Sequence, residues 1–156
     1  MKKMNTKGFT LIELLAVIVI LAVIALIATP MILGVIDTAK KGATESSGLG
    51  YIDAVEKATI LSLFDDEVSG STTFTSNKVY TVAELDTNGV TVKGEEPTAG
   101  WVAIDSTGVV VAAQLTFESY TKTVRYDGNK AYADITTIAA TPTDVTAAQA
   151  LVTTAN

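Results

Sequence analysis

An α+β fold, with one long N-terminal helix laid against a small antiparallel sheet, follows from three features of the 156-residue sequence. An apolar run extends from Phe9 to Ile36, and Glu13 is its only ionisable side chain. An amphipathic segment carries the helical pattern on to Asp66. Short alternating segments, separated by turns that contain Gly, Asn and Asp, occupy much of the remainder. Strands that follow a helix as a block, rather than alternating with helices, indicate α+β.

The apolar run comes first. At about 1.5 Å per residue it reaches roughly 40 Å as a helix, more than a bilayer core requires. Lys2, Lys3 and Lys7 precede it and hold the first eight residues on the cytoplasmic side. Ala22, Ala25 and Ala28 follow one side of the run; they either let a second helix approach closely or face lipid as filler. Pro30 removes a helical hydrogen bond, so a kink or local melting is expected between Leu26 and Pro30.

Glu13 is the anomaly. Insertion scales put a carboxylate in the bilayer at about 2.5–3.5 kcal/mol, so it is expected to have a partner or a task. The run offers no Lys or Arg. Cleavage after Gly8 creates an α-amino group on Phe9, four residues from Glu13 on one helical face and beside the positive end of the helix dipole. The amine of a neighbouring copy would serve equally. The plainer alternative is a signal-anchor whose carboxylate rests at the interface.

Lys7-Gly8-Phe9-Thr10-Leu11-Ile12-Glu13 resembles the processing site of type IV prepilins and their pseudopilin relatives. The resemblance implies that a membrane peptidase cuts after Gly8 and methylates Phe9. It implies that Glu13 is the assembly determinant, pairing with the N-terminus of an adjacent subunit, and that Pro30 matches the proline common in this helix. The specific match covers about residues 7–36; beyond it the likeness is one of architecture, the pilin fold. The implied organisation is a leader at 1–8, a transmembrane and filament-core half-helix at 9–36, an amphipathic half-helix at 37–66 and a β head at 67–156.

Composition bounds the function. The chain has 11 basic and 17 acidic residues, for a formal charge of −6. Loss of the three leader lysines leaves 8 against 17, or −9. An acidic domain offers no electrostatic footprint for nucleic acid. Zero cysteines exclude a disulfide, where many members of the resembled family close the C-terminal region with one. That departure suits a Gram-positive major-pilin type. The absence of both His and Cys removes most thiol, metal and Ser-His-Asp schemes, so no catalytic residue, metal or cofactor is assigned. Asp65-Asp66-Glu67 reads as a solvated helix end, and Asp127-Gly128-Asn129 as a turn rather than a calcium loop.

Beyond Ile36, Tyr51, Ile52, Ala54, Val55, Ala58, Leu61 and Leu63 form one arc at helical spacing, with Asp53, Glu56 and Lys57 opposite. Ile60 and Phe64 break it. Strands are expected at Lys78–Val82, Val90–Lys93, Trp101–Asp105, Val109–Phe117, Lys122–Tyr126 and Lys130–Ile135. Asp86 to Gly89, Ser106 to Gly108 and Asp127 to Asn129 supply turn chemistry. In Val109–Phe117 the odd positions are all apolar and the even ones mixed, predicting one packed and one wetter face. The end, 136–156, is either partly ordered, with Asp144 capping a short helix through Leu151, or a flexible tail.

The resemblance implies a structural role. The subunit would be made in the cytoplasmic membrane and drawn by pilus assembly machinery into a homo-oligomeric helical filament at the cell surface. There it would support adhesion, twitching or gliding motility, or biofilm formation. Two alternatives stand beside it: a pseudopilin of type II secretion or DNA uptake, and a signal-anchored binding module that keeps its leader.

Overall fold

A computed structural model describes residues 8–64 and 74–153. The leader lysines, the Asp65-Asp66-Glu67 cluster and the start of the connecting region lie outside the described residues. Helix α1 spans Leu11–Phe64. The chain divides into two units, residues 1–39 and 40–156.

In the first unit α1 carries the apolar run and is helical through Pro30, so the local melting expected there is absent. Thr29 and Thr38 turn their hydroxyls back onto the carbonyls of Ala25 (2.7 Å) and Gly34 (2.9 Å), which lets polar side chains sit on an apolar helix without an unmatched donor.

The second unit holds a five-stranded antiparallel meander, β1 (Lys78–Thr81), β2 (Ala99–Ile104), β3 (Val110–Thr116), β4 (Thr123–Tyr126) and β5 (Ala131–Ile135), in consecutive order. The α1 segment from Lys40 onward covers one face. Its buried stripe is Thr44, Gly48, Tyr51, Ile52, Val55 and Thr59, facing Val102, Ile104, Leu115 and Val124. The stripe therefore begins two turns before the predicted arc. Thr44 and Thr59 fit because each hydroxyl is used by a carbonyl one turn back, Lys40 and Val55 (2.8 Å in both cases). Gly48 fits because there is no room for more: an added Cβ would lie 2.8 Å from Val124 Cγ1. Leu61, expected to pack, is exposed.

A second helix covers the opposite face. Asp144 caps α3 (Val145–Thr153) by accepting the Ala147 N–H at 2.8 Å. Val145, Ala148 and Val152 pack on Trp101, Ala103 and Ala112. The wetter face expected for the sheet is thus a second core. Gln114, one of the mixed positions, is buried and its Oε1 accepts the Ala139 N–H at 2.8 Å.

Two further expectations are corrected. Val90–Lys93 is not a strand: Val90 fills the core from irregular backbone, its N–H bonded to Leu85 O at 3.1 Å. The preceding residues form a short helix, α2 (Val82–Thr87), started by a capping box between Thr81 and Glu84, so the turn chemistry is confined to Asn88-Gly89. Within β3 the pairing jumps from Ala103–Ala112 to Ile104–Val110, leaving Val111 as an extra residue. Val110, rather than Val109 or Val111, consequently joins Ala113 and Leu115 on the α1 side, and Val109 is exposed.

Candidate functional site

The sequence-predicted residues Gly8, Phe9 and Glu13 lie at the start of α1, where Glu13 bonds to Thr10. Gly8, Phe9 and Thr10 are not helical, and Thr10 is the N-cap: the first helical bond runs from Leu14 N–H to Thr10 O at 3.2 Å. Glu13, at the third helical position, reaches back. Its Oε2 accepts the Thr10 N–H at 2.8 Å and the Thr10 hydroxyl at 2.6 Å. Glu13 N–H in turn lies 3.4 Å from Thr10 Oγ1. This reciprocal arrangement is a capping box, and it satisfies helix-end donors that lipid cannot. Thr10 was missed by the sequence reading, although its signal, Thr-x-x-Glu before an apolar run, is plain.

Glu13 therefore has a partner within its own chain while the leader is attached. The nitrogen of Phe9 is then an amide; the amine expected to meet Glu13 exists only after cleavage. Pro30 is 17 residues further along, about 25 Å of helix, and belongs to a different part of α1.

The rest of this unit is apolar surface without a cover. Every large apolar side chain from Phe9 to Ile36 is at least 45% exposed, and Phe9 is 93% exposed. Among the described residues, α1 is the one helix long and apolar enough to cross a membrane. A chain that completes its head with two cores yet leaves such a surface bare is built for surroundings other than water.

Three carboxylates of the head are occupied with its own backbone. Glu56 Oε1 accepts the Val110 N–H at 3.0 Å, a donor set free by the bulge. Glu45 Oε1 accepts the Ala133 N–H on the edge strand β5 at 2.8 Å. Asp127 Oδ1 takes the Asn129 and Lys130 N–H groups at 3.0 and 2.9 Å, and these bonds hold its carboxyl below the usual range despite partial burial. Asp127 is thus a turn residue. No group of three or more acidic, His or Cys side chains placed to hold a metal occurs among the described residues.

Among the described residues Arg125 is the charged side chain that is buried. It is 6% exposed; its Nη1 donates to Val152 O and its Nη2 to Asp134 Oδ2, both at 2.7 Å, while the guanidinium lies 4.7 Å over the Tyr132 ring. Hydrogen bonding to Asp134 pushes its affinity for the proton up further. The bond to Val152 fastens α3 to β4.

Residues 3–29 fit the model of the prokaryotic N-terminal methylation motif, 27 of the 156 residues. No curated protein and no solved structure matches the chain. The motif is a class III signal peptide typical of type IV pilins and pseudopilins, and such a signal ahead of an apolar helix suggests a membrane-anchored precursor that a prepilin peptidase processes. Its family is generally structural rather than catalytic. With this motif at the head of a long helix and a five-stranded antiparallel sheet behind it, the chain is type IV pilin-like.

Proposed function

We propose that the chain is the structural subunit of a type IV pilus, of the Gram-positive major-pilin kind. The precursor sits in the cytoplasmic membrane with its head outside. A peptidase removes residues 1–8 by cutting after Gly8, and Phe9 becomes the methylated N-terminus. The subunit then leaves the bilayer as its apolar helix exchanges lipid for the helices of identical copies. Glu13 exchanges Thr10 for the Phe9 amine of a neighbour, and Pro30 provides a weak point for fitting the helix into the filament. A head-to-tail contact that repeats without closing gives a helical fibre. Adhesion, motility and biofilm formation are the roles such a fibre serves.

The observation that supports this reading best is the bare apolar surface from Phe9 to Ile36, interrupted by a single carboxylate at its first turn. Surface shearing tests it. Long filaments composed mainly of this chain are expected, and Glu13→Ala is expected to insert in the membrane yet be missing from them. Membrane-retained chain with no external fibre would instead identify a pseudopilin, and normal filaments from Glu13→Ala would overturn the pairing.

A further inference from the structure

We propose that Thr10 is a positioning residue for leader removal: its capping box fixes the start of α1 just past the Gly8–Phe9 bond and holds that bond in non-helical backbone. The inference rests on the reading that the chain is cut after Gly8. In that step water adds across the amide. The C–N bond breaks, the Gly8 carbonyl carbon takes the hydroxyl of water and the Phe9 nitrogen takes its other hydrogen; the new acid then passes its proton to the amine, leaving a carboxylate and an ammonium. No other reactant is consumed.

A peptidase needs the scissile carbonyl exposed, and helical backbone ties each carbonyl into a bond with the N–H four residues on. Gly8 and Phe9 are non-helical and exposed, with helix beginning two residues later. Three contacts set that boundary: the Thr10 N–H and hydroxyl to Glu13, and the Glu13 N–H back towards Thr10 Oγ1. Upstream, Asn5 and Thr6 are the next residues of capping type. A helix begun from either takes Gly8–Phe9 into its first turn. Without the Thr10 oxygen the Glu13 N–H lies unmatched at the edge of the bilayer, and moving the helix start towards the polar leader gives it an intrahelical carbonyl and places the new free end in water. Thr10 prevents that shift, and Glu13 is the other half of the device before it takes any part in assembly.

The test uses full-length precursor in phosphatidylethanolamine–phosphatidylglycerol vesicles with a prepilin peptidase, read as initial cleavage rate and N-terminal mass. Thr10→Ala is expected to be cut roughly fivefold more slowly, the population change that follows loss of one N-cap. Thr10→Ser and Thr10→Asn keep a capping oxygen and are expected within about twofold of the parent. In the absence of peptidase, the Phe9 Cα chemical shift of Thr10→Ala should move towards helical values. Equal rates for Thr10→Ala and the parent overturn the inference, and so do Ser and Asn variants as slow as Ala, which would mean the threonine itself is recognised. A parent chain that is not cut after Gly8 overturns the proposed function; one that is cut normally, with Thr10→Ala equally fast, overturns only the role of Thr10.

Discussion

Replacing Arg125 by Met keeps an unbranched apolar stem of similar length and deletes the guanidinium with its charge. The change removes the 2.7 Å bonds to Val152 O and Asp134 Oδ2 and the stacking on Tyr132. Breaking a buried ion pair by removing one partner is worth about 3–5 kcal/mol when the survivor stays dry. Here the survivor is not dry, because the Asp134 side chain is 34% exposed and water can replace the guanidinium. The Arg125 Nε is also buried without a partner, so its removal returns part of the loss. The Val152 carbonyl, near the end of α3, does lose a charged donor, worth about 1.5–3 kcal/mol. The expected net is about 2 kcal/mol, or roughly 8 °C in the thermal midpoint of the head. Hydrogen exchange on the detergent-solubilised chain locates the effect. Amides of Ala148 to Thr153 should lose protection first, with those of Val102 and Val124 retained. A loss below about 0.5 kcal/mol, the range of an ordinary surface substitution, would refute the argument. Uniform loss over both faces of the sheet would refute it equally.

Gly48→Ala is expected to destabilise the head by about 1–2 kcal/mol, because forcing a methyl against Val124 outweighs the gain in helix propensity of about 1 kcal/mol. Gly50→Ala, two residues on with nothing within 4 Å of the added carbon, should stabilise by up to about 1 kcal/mol; urea titration separates the two by sign. Glu84 and Asp127 have carboxyls held low, the first by the Thr81 N–H and hydroxyl, the second chiefly by the Lys130 N–H. A lowered folded value contributes stability that is complete above the ordinary carboxylate range, about pH 4, and is lost as pH falls through the folded values. The thermal midpoint should therefore be flat from neutral pH to about pH 5 and fall below pH 4, with a shallower fall in a Glu84→Gln, Asp127→Asn double variant. Stabilisation on acidification would contradict this.

The long helix and four of the strands were legible because hydropathy and alternation announce them. Lys78–Val82, Trp101–Asp105, Lys122–Tyr126 and Lys130–Ile135 agree with β1, β2, β4 and β5 to within two residues. Val109–Phe117 locates β3 but not its faces, since the bulge at Val111 is set by pairing with β2 and leaves no local mark. Thr44, Gly48 and Thr59 were invisible as core because they are buried for their size and their back-bonded hydroxyls, not for hydropathy. Leu61 erred the other way, apolar and outside. α2 is six residues long, too short for periodicity, though its Thr81–Glu84 box was readable. At the candidate site, Gly8, Phe9 and Glu13 follow from spacing and resemblance, and Thr10 follows from the same Thr-x-x-Glu signal as Thr81. Arg125 was beyond reach, because its partners lie 9 and 27 residues away and only the folded sheet brings them together.

The mass of the N-terminal peptide from sheared surface material bears most directly on the central claim, that an apolar helix is freed at Phe9 to join other copies of itself. The account predicts N-methylated Phe9 as the first residue. Filaments whose subunits still begin at Met1 would contradict it.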